Sequence, residues 1–305
     1  MDKKLLCPKM DVVFHALFRE KNIDDLSNFL SAILKEDVKV TTIDKNRYVD
    51  IGTSNEKLGI MDLRAELKGN EQCNIEIQLN YYSDMKKRML YYWSDNYKRQ
   101  LKTGKGYNSL QKTISILILD YTLDILNDFE DVGIKWQIRD ELTGKKVLTE
   151  DLEIVILELP KVMKLYNMCP NNKAYQWLMF LDNPNSKEVG AIMKENKEIK
   201  SIADTLEQVS GDEKLRRIAE LKEKAILDEK AALDYATEKG IAEGFEQGRA
   251  KGHEEGLAEG RVEGREEGRN TLISNMFKNG ATIDSLEKLT GLDKKELEKI
   301  LNICK

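Results

Sequence analysis

Little in this chain supports covalent or soft-metal chemistry. Cys7, Cys73, Cys169 and Cys304 are scattered without a CxxC pair, and only His15 and His253 could join them. Neither a disulfide framework nor a tetrahedral zinc site is expected from such spacing. No apolar run approaches transmembrane length, and Leu5-Leu6 behind Lys3-Lys4 is too short for the core of a signal peptide. The expectation is a soluble, cytoplasmic protein with no membrane partner. A Gly-rich phosphate loop ending in Lys-Ser/Thr is absent, as is a Gly-x-Ser-x-Gly elbow, so neither a nucleotide cofactor nor serine-esterase chemistry is expected. An excess of positive charge is missing too. Lys and Arg number 49 against 54 Asp and Glu, for a net charge of -5 and a pI near 5.5. A general basic coat for nucleic acid is thereby excluded, and any such contact must come from local patches.

What the chain does have is charge in both signs, 34% of its residues, and 305 residues in which to bury one sizeable core with extensions or two domains. Its most informative stretch runs from Ile60 to Leu79. Ile60–Leu67 and Cys73–Leu79 each alternate apolar and polar residues, the period of a half-buried strand, and Lys68-Gly69-Asn70-Glu71-Gln72 between them reads as a hairpin turn. In the second strand Ile75, Ile77 and Leu79 share one face, and Glu76 and Gln78 share the other. Antiparallel pairing about the turn brings Asp62 within reach of Glu76. Two carboxylates and an amide would then converge, an oxygen-donor set suited to a hard divalent cation such as Mg²⁺.

Around this hairpin the chain reads as alternating helices and strands. Pro8 to Phe18 and about Asp24 to Leu34 are helical, the second striped by Leu26, Phe29, Leu30, Ile33 and Leu34. Arg47–Ile51 reads as the first strand of a meander that continues into the hairpin. Asp84 to Lys102 is a helix with Met85, Met89, Leu90, Trp93, Tyr97 and Leu101 on its stripe, closed by Gly104-Lys105-Gly106. Thr113 to Leu119 is an apolar, β-branched run expected to be a central strand buried on both faces. Ile134–Arg139 and Leu152–Leu159 are further strands, and Ala174–Leu181 is a short apolar helix.

Asp62-x(13)-Glu76-x-Gln78 resembles the metal-binding core of the PD-(D/E)XK nuclease superfamily, and more narrowly its Rpn branch of recombination-promoting nucleases and putative transposases. Asp11, Phe14 and Phe18 fit the opening motif of that branch, and His15 stands where Lys is common. Arg88, Tyr92, Tyr97 and Gln100 fit a later one, as do Glu158, Leu159 and Lys161, and Trp177 with Phe180. The resemblance covers roughly the first 180 residues in separated pieces.

It implies an α/β, restriction-endonuclease-like αβββαβ core and a metal-dependent DNA endonuclease associated with recombination or mobile elements. Asp62, Glu76 and the backbone carbonyl of Ile77 would hold Mg²⁺ or another divalent cation, and Gln78 would orient the attacking water. The superfamily usually has Lys at the Gln78 position; a neutral amide leaves catalysis more dependent on metal. Asp11 and Arg88 are accessory candidates, Asp11 as a third acid or simply a helix-start carboxylate, Arg88 as a phosphate clamp or the partner of an acid. The tyrosines of this helix read as packing residues, with contact to a nucleic-acid backbone as the alternative. A catalytically degenerate DNA-binding or regulatory oligomer on the same fold is the second functional reading.

The expected organisation is a nuclease-like domain over residues 1–183, a helical extension over 184–239, a charged tract over 240–269 and a small helical unit over 270–305. In the tract, Gly240, Gly244, Gly248, Gly252, Gly256, Gly260, Gly264 and Gly268 recur every fourth residue. Glu255, Glu259, Glu263 and Glu267 keep the same step, as do Arg261, Arg265 and Arg269. Such rows repel within one helix and could pair with the opposite rows of a neighbour, so a homo-oligomer formed through the tract is expected. The last unit resembles a small helix-turn-helix, but Glu296 and Glu298 on it are poorly suited to a major groove.

Overall fold

The structure is a computed structural model that describes residues 5–44 and 63–301. Arg47–Ile51 and Asp62 lie outside the described residues, as does Cys304. The chain divides into two compact units, residues 1–230 and 231–305.

The first unit is built on a six-stranded sheet in the order β1-β2-β3-β4-β6-β5. Strands β2 (Leu63–Leu67) and β3 (Gln72–Gln78) form the expected hairpin, with Leu63 opposite Ile75 and Glu66 opposite Gln72. Its turn closes through Asn70 N–H donating to the Leu67 carbonyl at 3.0 Å. Gly69 there has φ +98°, a conformation that costs a glycine little and a side-chain-bearing residue much. Outside β2 lies β1 (Val40–Ile43), antiparallel to it. On the other side β3 runs parallel to β4 (Thr113–Leu119), which runs parallel to β6 (Leu152–Glu158), and β5 (Gly133–Trp136) returns antiparallel at the far edge. The β-branched run 113–119 is thus the interior strand its composition predicts.

Helices cover both faces. Against one lie α1 (Asp11–Leu17), α2 (Ile23–Leu34), and, after the short α4 (Val162–Met168), helices α5 (Lys173–Asp182), α6 (Lys187–Glu195) and α7 (Lys197–Ser210). Their apolar stripes meet Ile75, Ile114, Ile116, Ile118, Val155 and Leu157 in one core. Its centre is aromatic: the Phe14–Phe18, Phe18–Phe29 and Phe29–Trp177 ring centroids lie 4.8, 5.6 and 5.6 Å apart, and Trp177 is completely buried. Burial of each such side chain contributes about 1.5–3 kcal/mol, which is how α5, far along the chain, is held to α1 and α2.

The other face carries α3 (Met85–Arg99). Met85, Met89 and Trp93 pack on Leu117, Leu119, Ile154 and Ile156, and the Trp93 indole N–H donates to the Thr113 carbonyl at 2.9 Å. Leu90, expected on this stripe, points outward and is exposed. The same face of the sheet is polar toward β2. Because alternate residues share a face, Arg64 and Glu66 of β2, opposite Asn74 and Gln72 of β3, lie on the same face as Glu76 and Gln78. One sheet face is therefore half oily floor and half polar strip, and the candidate site lies along the strip.

Helix α8 (Glu213–Lys278) begins in the first unit and continues into the second. In the second unit its end packs with α9 (Ile283–Thr290) and α10 (Lys294–Ile300) about Ile273, Leu286 and Leu297. Thr282 caps α9, and Asp293 with Glu296 forms a capping box on α10.

Candidate active site

Glu76 and Gln78 project from the polar strip of β3, each 5% exposed. A carboxylate is not buried without partners. Here the Gln78 Nε2–H donates to Glu76 Oε1. The alternation that places Ile75 in the main core thus turns Glu76 and Gln78 together to the opposite side.

At the C-terminal end of β3 a cavity of about 300 Å³ opens, lined by Lys9, Asp11, Gln78, Tyr82, Lys222 and Glu229, with Ile77 on its wall. Asp11 is the first residue of α1. Its Oδ1 accepts from Val12 N–H at 2.7 Å, the local role of a helix-start acid, while Oδ2 takes the Lys222 ammonium. Asp11 thus acts as a helix-start carboxylate and lines the cavity beside Gln78. Lys9 bridges Asp120 Oδ1 at 2.7 Å and Asp182 Oδ1 at 3.0 Å. Burial by itself would lower its pKa; the two carboxylates outweigh that, and the net displacement is upward.

Lys222 is the residue that sequence reasoning missed. It lies on α8, more than 200 positions from Asp11, and is 8% exposed. Leu215 and Ala219 are buried on the same helix, so the spacing 215, 219, 222 marks one inward face. That spacing was available in the sequence, but inside a run rich in Lys and Glu a buried lysine looks like its exposed neighbours. Farther along α8, Glu229 accepts from Asn80 Nδ2 at 3.0 Å and from the Tyr82 hydroxyl at 3.2 Å. Burial, then Glu229, raises the Tyr82 pKa.

Arg88 does not line this cavity. Its guanidinium lies 4.4 Å from the centroid of the Tyr82 ring and reaches the Tyr92 hydroxyl at 3.3 Å. The face of one tyrosine and the hydroxyl of another hold it. Tyr91 and Tyr107 are exposed, not packed. Tyr97 stacks on Trp93 at 4.9 Å and donates to Asp151 at 2.5 Å. Gln100 ties the end of α3 to β4 through the Gln111 backbone N–H and carbonyl and the Thr113 hydroxyl. Glu158 and Lys161 are likewise structural. Their 2.6 Å ion pair lies between Leu123 N–H, held by the carboxylate, and the Leu126 and Phe129 carbonyls, held by the ammonium.

Among the described residues no three His, Cys, Asp or Glu side chains cluster as a metal site. Asp62, the third carboxylate expected, lies outside those residues. Its chain neighbour Leu63 is opposite Ile75, the residue before Glu76. The donors that are described, Glu76, Asp11 and the Gln78 amide, are all oxygen donors, and their chemistry fits a hard divalent cation and not a soft one.

No curated protein and no solved structure matches the chain. A family model described as PD-(D/E)XK nuclease family transposase matches residues 8–236, from before α1 to beyond Lys222 and Glu229. That stretch holds the whole sheet and every residue lining the cavity, and the family ties the chain to nucleases and mobile elements. The chain belongs to the PD-(D/E)XK nuclease family transposases.

Proposed function

We propose that the chain is a metal-dependent endonuclease that hydrolyses phosphodiester bonds in DNA. The observation carrying this reading is the buried Glu76–Gln78 pair on β3, in a chain of a nuclease family, beside a cavity that also gathers Asp11 and Lys222. Asp62, Glu76 and the Ile77 carbonyl would hold the cation, Mg²⁺ being the first choice for such hard oxygen donors, with Asp11 as an accessory acid. Bound there, it supplies positive charge against the scissile phosphate and lowers the pKa of water.

The protein's own groups do the rest. Because its N–H is committed to Glu76, Gln78 presents Oε1 as an acceptor, which orients a water without removing its proton. A neutral amide adds no charge for the developing negative transition state. Lys222 supplies it, on the wall of the same cavity. Arg88 acts at one remove, holding Tyr82 on the cavity wall. Outside the catalytic unit, the glycine tract pairs with a second copy of the chain. A helix interior loses about 1 kcal/mol for each Gly against Ala, a burden that close backbone contact with a partner offsets.

Mg²⁺-dependent nicking of supercoiled DNA tests the assignment. Glu76→Ala and Asp62→Ala should abolish it, and Lys222→Gln should lower it by about ten- to a hundredfold, since one preorganised charge contributes a few kcal/mol to a transition state. Gln78→Lys should retain or improve turnover. Full activity in purified Glu76→Ala would sink the reading. Metal-independent binding of DNA with no cleavage by the unaltered protein would favour the degenerate, regulatory alternative, for which the Gln78 substitution speaks.

A further inference from the structure

The polar strip continues away from Glu76 into a second cavity, of about 600 Å³, between β2, β3 and the last turns of α3. Its volume is that of a small-molecule site. Asn74 of β3 and Asn96 of α3 both line it, 4% and 8% exposed. Asn74 Oδ1 and both amide atoms of Asn96 have no hydrogen-bond partner among the described residues. Ser115, opposite Asn74 in the β3–β4 register, also has an unpartnered buried hydroxyl. Buried carboxamides are nearly always satisfied, so two of them facing one cavity point to something that enters it. Arg64, Lys102 and Arg99, whose guanidinium also pairs with Asp95 at 2.7 Å, line the same cavity, along with the carboxylates Asp44 and Glu66.

We propose that this cavity binds one unpaired nucleotide of a DNA strand, with Asn74 and Asn96 on the edge of its base and the guanidinium of Arg99 on its phosphate. A carboxamide offers one donor and one acceptor side by side, which is the complement of a base edge, adenine above all. A guanidinium suits a phosphate. Asn74 and Glu76 lie on one face of one strand, so the base subsite is about 7 Å along β3 from Glu76 and about 13 Å from Gln78, a reach of about four stacked nucleotides. The inference rests on the nuclease reading for the identity of the strand. It adds that the strand is engaged unpaired and is read at one base.

The test is fluorescence anisotropy without divalent metal, using a short labelled oligodeoxyadenylate and an abasic strand of equal length, and the full chain. The protein should prefer the adenine strand by tenfold or more. Asn74→Leu with Asn96→Leu, which keeps the branching at Cγ and removes the amides, should erase that preference while leaving the salt dependence unchanged. Arg99→Gln, at a half-exposed side chain that tolerates change, should make the slope of log affinity against log salt shallower by about 0.7, one single-strand phosphate contact. No base preference in the unaltered protein overturns the proposal, as does a preference that survives in the double variant with its thermal melt intact. If the double variant does not fold, Asn96→Ser takes its place and the same two outcomes decide. A chain that nicks DNA but shows no base preference refutes the subsite alone. One that shows the preference but never nicks DNA refutes the nuclease reading alone.

Discussion

Helix α8 is two different objects on either side of the boundary between the units. Up to residue 230 it is an amphipathic helix whose Leu215, Ala219 and Lys222 are buried. From 231 to 269 every residue is exposed, Ile241, Phe245, Leu257 and Val262 included. The near half is helical because burial of a stripe rewards it. Among the described residues the far half has only local terms, such as the spaced pairs Lys239–Glu243 at 3.8 Å and Lys251–Glu255 at 3.7 Å. Each pair contributes about 0.2–0.5 kcal/mol, less than one glycine costs. Identical hydrogen bonding along a helix therefore says nothing about what holds it, and substitutions in the two regions should have opposite signs.

The largest effect belongs to the sheet unit. Trp177→Ala empties the space between Phe18 and Phe29 and should cost about 3–5 kcal/mol. The three tryptophans, Trp93, Trp136 and Trp177, all lie in the first unit, so the fluorescence of the remaining two reports that unit. Their denaturation midpoint should fall steeply while the helical signal of the far half of α8 is unchanged. A midpoint within error of the parent would remove the aromatic cluster from its place at the centre of the core.

In the glycine tract the expected effect is smaller and its sign is informative. A Cβ on Gly248 or Gly252 meets no atom within 4 Å, so alanine fits. On a lone helix Gly248→Ala with Gly252→Ala should add about 2 kcal/mol of helix stability. If the glycines form a close seam with a second chain, as proposed, the same methyl groups separate the backbones. The expected outcome is a mass by light scattering that falls toward that of a single chain. A parent protein that is already monomeric refutes the pairing, and the variant then simply gains helicity.

Much of the sheet unit was legible in the sequence because its signals are local. Period-2 alternation gave the hairpin, and the β-branched run gave β4 with its interior place. Strand β1 escaped because Val-Thr-Thr-Ile is short, with both threonines exposed. Two acids and an amide at the right spacing pointed to Glu76 and Gln78, whereas Lys222, Asn74 and Asn96 depend on which face of a helix or strand turns inward. Arg88 had a legible charge but an illegible partner. Nothing in its spacing distinguished a carboxylate from the ring of Tyr82, six residues earlier. Catalytic-looking and merely structural residues of one type, such as Gln78 and Gln100, cannot be separated until their partners are seen.

The smallest effect concerns the seam between α3 and the sheet, the side of the first unit where helix and strand are joined by polar contacts as well as apolar ones. Tyr97 donates to Asp151, and that hydrogen bond, with burial second, pushes its pKa up to about 12. An unfolded tyrosine ionises near pH 10. A group whose pKa is raised on folding favours the folded state in its protonated form, so this contribution is complete below about pH 10 and is lost as pH rises through about 12. Tyr97→Phe removes the hydroxyl but keeps the ring stacked on Trp93, and should cost about 0.5–1.5 kcal/mol at neutral pH. The difference between parent and variant should shrink across that alkaline window. The far half of α8 contains one tyrosine, the exposed Tyr235, so its helical signal should not follow the same curve. A stability difference that stays constant from neutral pH to pH 12 would show that the Tyr97 hydroxyl does not contribute through Asp151.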